Sequence, residues 1–123
     1  MFSPNGSLLA TGNGDRVSMV VNAIDGTIKH KLGPFEQPTR NVSFSPDGRW
    51  LAINFADGPD SAIIADVNTG TVAANFPGNG YVTPMFAPIG DTIAVGNRNG
   101  ELSIWNWNGT NLFRQQVLRD SGA

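Results

Sequence analysis

Apolar positions along this chain fall in short runs that turn residues divide into strands of about five to seven residues, and no segment of useful length carries a helical period. In the stretch 39–44, Val42 and Phe44 fall on one face, and Val82 and Phe86 do the same in the stretch 81–86. Further strands are predicted over 17–22, 62–66 and 102–106, and each runs into a polar turn, Asp25-Gly26-Thr27, Asn68-Thr69-Gly70-Thr71 or Asn108-Gly109-Thr110. Asn or Asp followed by Gly accepts the positive φ that a hairpin demands. A last strand follows each turn, over 28–32, 72–76 and 112–117. Pro84 lies inside the run 81–86, which puts that strand at a sheet edge, where a missing N–H does no harm.

The pattern repeats every 42 residues. Phe2-Ser3-Pro4, Phe44-Ser45-Pro46 and Phe86-Ala87-Pro88 superpose, followed by Gly6, Gly48 and Gly90, then Leu9, Leu51 and Ile93, then Ala10, Ala52 and Ala94. Ser-Pro-Asn-Gly, Ser-Pro-Asp-Gly and Ala-Pro-Ile-Gly place Pro second and Gly fourth, as a type I turn between antiparallel strands prefers. The alanine column is expected where neighbouring units converge. A period near 40 to 45 built from short strands is the signature of a β-propeller blade. The fold predicted is therefore all-β, a partial β-propeller of three antiparallel blades over residues 1–123, with repeats starting at about 1, 43 and 85. Each blade runs inner, second, third, outer strand, and the first lacks most of its inner strand because the chain starts at Met1-Phe2. Propellers close with four to eight blades, so three leave two apolar faces uncovered. Such an arc closes by oligomerisation or belongs to a larger propeller.

The residues resemble the WD-repeat family. Val42-Ser43-Phe44-Ser45-Pro46-Asp47-Gly48-Arg49-Trp50-Leu51-Ala52 is similar to that family's inner strand, turn and second strand, and Leu102-Ser103-Ile104-Trp105-Asn106 to its closing strand. The closing dipeptides are Val21-Asn22, Ala65-Asp66 and Trp105-Asn106, and Gly33-Pro34 and Pro77-Gly78 stand where the family has Gly-His. The Trp, Ser, His and Asp tetrad that braces many family blades therefore cannot form. Propellers of the bacterial periplasmic type share Ser-Pro-Asp-Gly and stay open as relatives. The resemblance implies a scaffold that binds protein or peptide through loops on one face.

Charge and composition narrow the chemistry. With eight Lys and Arg scattered among ten acids, the net charge is −2, which argues against nucleic acid or an anionic membrane as partner. Cysteine is absent, removing disulfides, thiolate chemistry and Cys-ligated zinc, and favouring the cytoplasm. The first nine residues have neither a basic start nor a long apolar run, so neither a signal peptide nor a membrane span is expected there. Asn5-Gly6-Ser7, Asn41-Val42-Ser43 and Asn108-Gly109-Thr110 fit the glycosylation triplet but read as turn and strand residues.

No catalytic or cofactor motif stands out. His30, between Lys29 and Lys31, reads as an exposed strand histidine, with no nucleophile elbow to serve. Gly12-Asn13-Gly14 and Gly78-Asn79-Gly80 precede no helix and read as turns rather than phosphate loops. Asp57-Gly58-Pro59-Asp60 offers two carboxylates, too few for a calcium cage, and reads as an acidic loop. The face carrying the loops between second and third strands, and between one blade and the next, is the expected partner surface. Its candidates are Tyr81, Arg40, Arg98, Phe35 and Asp57, since Tyr, Trp and Arg are enriched in interface hot spots. Trp50 and Trp105 are expected to pack within blades, whereas Trp107 is placed in a turn on the opposite face.

These readings give a non-enzymatic, cofactor-free scaffold for a protein or peptide partner. Self-assembly is also expected, because a fourth Phe-x-Pro would fall near position 128 and the two ends stand almost in register for head-to-tail joining. Two arcs make a six-bladed closed dimer. The rival is a fragment of a propeller-containing hydrolase or periplasmic ligand-binding protein whose chemistry lies elsewhere, and a third reading is a folded fragment with no function of its own.

Overall fold

The computed structural model describes residues 1–12, 14–55, 62–76, 82–97 and 100–119, the last without its side chain. Eleven strands form three antiparallel sheets among these residues. The first holds β1 (Leu8–Ala10), β2 (Ser18–Asn22) and β3 (Ile28–Leu32); the second β4 (Thr39–Phe44), β5 (Trp50–Phe55), β6 (Ala62–Asp66) and β7 (Thr71–Asn75); the third β8 (Val82–Phe86), β9 (Thr92–Asn97), β10 (Glu101–Trp107) and β11 (Leu112–Arg119). Each is a meander in chain order, the arrangement expected of a blade. Pro84 lies on β8, at the free edge of its sheet, where the ladder needs no N–H from it.

In place of an inner strand, the first sheet has a stub. Phe2 bridges Leu9, the backbone N–H of Ala10 donates to Met1 O at 2.8 Å, and the N–H of Ser3 donates to Leu8 O at 2.8 Å. The turn that follows is closed by the N–H of Gly6 donating to Ser3 O, repeated as Gly48 to Ser45 O, both at 2.9 Å. Gly6, Gly48 and Gly90 have φ of 76°, 75° and 74°, so the glycine column is a backbone requirement. Ser45 Oγ adds a second tie, donating to Asp47 Oδ1 at 2.6 Å while accepting from the N–H of Trp50 at 2.9 Å.

The core lies between sheets. One apolar cluster joins Ala10, Val20 and Leu32 of the first blade to Phe44, Leu51, Ile53, Phe55, Ile63, Ala65 and Val67 of the second. Another joins Trp50, Ala52, Ala62, Ile64 and Phe76 of the second to Val82, Phe86, Ile93, Val95, Trp105 and Trp107 of the third. The period of two along each strand sends one set of side chains to the preceding blade and the other to the following one. Phe44, Leu51 and Ile53 face backwards, whereas Trp50 and Ala52 face forwards.

The same columns change exposure at the ends of the arc. Phe44 and Phe86 are 3% and 7% exposed, and Phe2, in the same column with no blade before it, is 59% exposed. Ala10 and Ala52 are buried under the following blade, whereas Ala94 is half-buried. Met85, Leu102 and Leu118 stand exposed on the same side as Ala94.

His30 is half-buried rather than exposed, because the outer strand of the first blade lies against a turn of the second. Its Nε2 is 3.2 Å from Asn68 O, and a Cβ on Gly70 would fall 2.7 Å from its Nδ1. Trp107 also departs from expectation. β10 continues through it, and its indole is 3% exposed between the second and third blades, edge-on to Trp50 with ring centroids 5.1 Å apart. The polar Asn106 before it and Asn108-Gly109 after it resemble a turn, but the blade-to-blade seam claims the ring.

Candidate functional site

The loop face is held together at the seam between the first two blades. After Leu32, the chain turns through Gly33 with φ of 112° and the cis bond to Pro34, and then runs beside the loop that joins β1 to β2. The N–H of Phe35 donates to Arg16 O at 2.8 Å, and Arg16 Nε donates back to Phe35 O at 2.6 Å. Thr39, fully buried, donates its hydroxyl to Asp15 O at 2.8 Å, and its own carbonyl accepts from the N–H of Gly14 at 2.8 Å. These ties fix two loops that would otherwise be independent.

That lacing presents Phe35 half-buried, its ring edge-on to Phe55 with centroids 5.0 Å apart and an interplanar angle of 60°. Between the loop and the second blade lies a recess of about 240 Å³ lined by Pro34, Phe35, Phe55, Ile63 and Val72, with Glu36, Gln37 and Asn75 around them. Val72 is 49% exposed, so the recess stays open toward the outer rim. An apolar hollow bordered by a few polar groups is the form a side-chain anchor site takes.

Of the residues expected on the partner surface, Phe35 lines this recess and Arg40 does not. Arg40 is exposed on the innermost strand β4, and its backbone lies close to Gly12, where a Cβ would sit 3.2 Å from the Arg40 carbonyl. Close blade packing therefore calls for a glycine in the segment read as a plain turn. Tyr81, Arg98 and Asp57, together with Asp60, lie outside the described residues. Phe55 and Val72 were not singled out from the sequence, although a Phe ending a strand just before the acidic loop was the available signal. Among the described residues, no cluster of three or more His, Asp or Glu is placed to hold a metal ion, and no helix is long and apolar enough to cross a membrane.

Solved structures share this arrangement. A structure of U3-55K aligns over 99% of the chain with a TM-score of 0.83 at 15% identity, and the WD40 repeats of RRP9 align over 99% with a TM-score of 0.82 at 15% identity. The chain has the fold of three β-propeller blades, the arrangement seen in those WD40 repeats. A chain in a crystal structure of the mitotic checkpoint complex aligns over 95% at 20% identity with a TM-score of 0.81. This chain spans 38% of each of those three. By sequence it is similar to U3 small nucleolar RNA-associated protein 18 of Saccharomyces cerevisiae, 29% identical over 97 residues, which cover 71% of this chain and 16% of the relative. No family model matches.

Proposed function

We propose that this chain is a non-enzymatic interaction module whose loop face docks a protein or peptide partner. The observation that carries the reading is the Phe35 recess, an apolar hollow held open by hydrogen bonds between two loops. A Leu or Phe side chain of the partner fills it, and Arg40 contributes a charged contact nearer the central axis. Tyr81, Arg98 and Asp57 complete the proposed surface. The module comprises residues 1–123 with blades starting at about 1, 43 and 85, and the lack of cysteine fits a cytoplasmic setting. A peptide library selected against the folded chain tests the reading. Selected peptides are expected to carry a large apolar residue and to lose binding at least tenfold on Val72→Ser or Phe35→Ser, with smaller losses on Arg40→Ala, Tyr81→Ala and Arg98→Ala. Peptides that bind these variants as well as the parent chain overturn it.

A second reading rests on the end faces. The side of the third blade bearing Met85, Ala94 and Leu102 corresponds, column for column, to the sides of the first two blades that receive Phe44 and Phe86, and the first blade carries Phe2 to match. Head-to-tail joining of two copies would repeat the internal seam and close a six-bladed ring. Light scattering coupled to size exclusion is expected to give twice 13.1 kDa, falling to the monomer mass on Phe2→Asp. A well-folded parent monomer with cooperative melting overturns this reading and leaves the loop-face site standing.

A further inference from the structure

On the opposite face, the second and third blades enclose a cleft with no counterpart in the sequence reading. It measures about 390 Å³ and is formed by the turn residues 45–49 of the second blade and by Gly90, Asp91, Asn108 and Gly109 of the third, with Trp50, Phe86 and Trp107 behind them. The matching seam between the first two blades has Leu8 and Val67 in the columns of Trp50 and Trp107, and Pro4 there approaches Gly48. Two indoles thus stand in the second seam where the first has Leu and Val.

Two features give the cleft a chemical preference. The guanidinium of Arg49 lies over the Trp50 ring, 4.6 Å from its centroid, so this indole presents a face that already takes a planar cation. Arg49 is otherwise loosely held, with one 3.5 Å contact to Asp66. Asp47 and Asp91 are exposed acidic residues of the lining; Asp47 is tied to Ser45, and no hydrogen bond or ion pair engages the Asp91 carboxylate among the described residues. The indole N–H of Trp107 is buried and, among the described residues, is the one buried side-chain donor without an acceptor. A buried unpaired donor is costly, so a small adjustment of the seam that brings it a carbonyl is favourable.

We propose that this cleft docks an arginine side chain from an extended segment of a protein partner. The incoming guanidinium takes the Trp50 face, displacing Arg49, and Asp91 and Asp47 balance its charge. Arg49 is then an internal competitor, and removing it exposes the face it covers. The site is separate from the Phe35 recess and does not depend on it.

Indole N–H resonances of the ¹⁵N-labelled chain, titrated with the neutral-ended peptide acetyl-Gly-Arg-Gly-amide, test the proposal. Trp50 and Trp107 are expected to shift saturably, whereas Trp105, whose Nε1 donates to Ser103 Oγ at 2.9 Å inside its own blade, stays put and reports that the fold is intact. Asp91→Asn is expected to weaken binding about threefold or more, and Arg49→Ala to strengthen it about twofold or more, opposite signs that a general loss of structure would not produce. Equal shifts at all three indoles, no shift at all, the same response to acetyl-Gly-Glu-Gly-amide or inorganic phosphate, or weaker binding in Arg49→Ala would each overturn it.

Discussion

The hydroxyl of Ser43 accepts a hydrogen bond from the backbone N–H of Phe86 at 3.0 Å, tying the inner strands of the second and third blades together where the arc is tightest. One repeat earlier the sulfur of Met1 takes that place, accepting from the N–H of Phe44 at 3.4 Å. The same backbone N–H thus finds an acceptor at both seams, by oxygen in one and by a weaker sulfur in the other. Ser43→Ala leaves the buried Phe86 N–H without its partner and is expected to cost about 1 to 3 kcal/mol. Urea titration together with faster amide exchange at Phe86 checks it, and unchanged exchange would mean that another acceptor takes over.

Trp107 and Trp105 both belong to the seam between the second and third blades, the first edge-on to Trp50 and the second edge-on to Phe76 at 5.7 Å. Truncating either to Ala is expected to cost about 3 to 5 kcal/mol, because each ring is buried in the apolar cluster between the blades and its loss leaves a large cavity there. In a chain of this size that approaches the whole stability. For Trp107→Ala, a loss below about 1 kcal/mol in urea titration would return the ring to the surface that its turn-like sequence suggested.

Gly33 is held by its surroundings as well as by its backbone angle. A Cβ there would lie 2.7 Å from Arg16 O and 2.9 Å from the Phe35 nitrogen, both backbone atoms that cannot swing aside. Gly33→Ala is expected to cost more than Gly6→Ala, where φ is 76° but nothing lies within 4 Å and only the left-handed backbone penalty of about 1 to 2 kcal/mol applies. Peptides selected on the Phe35 recess should also lose affinity for Gly33→Ala and keep it for Gly6→Ala. Equal unfolding midpoints for the two variants would contradict the crowded geometry.

Acid should loosen two turns first. The Ser45 hydroxyl holds the Asp47 carboxyl below its ordinary value of 3.8, and the Thr27 hydroxyl does the same for Asp25. Their stabilising contribution is therefore fully present above about pH 5 and is lost progressively as pH falls through 3.8 toward the lower folded values. Asp25→Asn with Asp47→Asn is expected to flatten the drop in urea midpoint between about pH 5 and pH 3. An identical drop in the double variant would assign acid sensitivity to other groups.

How much of this was legible follows the range of each interaction. The Pro-x-Gly turns, the glycine hairpins and the alternation within 39–44 depend on neighbours in sequence, and they led directly to three antiparallel meanders with Pro84 on an edge. The assignment of side chains to a blade's forward or backward face was only partly legible, since alternation defines two faces without saying which neighbour covers each. Trp107 shows the limit: its flanking Asn and Gly signal a turn, whereas its burial is set by Trp50, more than fifty residues earlier in the chain. His30 was likewise read from the charges beside it, and the turn of the next blade decides its surroundings.

By itself the sequence determined the repeat, the strands and their order, the glycine positions and the stubbed first blade, because each is fixed by backbone geometry or by a period within one blade. Only the tertiary structure decided that Phe35 rests on Phe55 above a recess, that Arg40 stands apart from it, and that two indoles line a cleft on the far face. Those features arise where blades meet, and the spacing between blades depends on the volumes of side chains some forty residues apart, which no local pattern records.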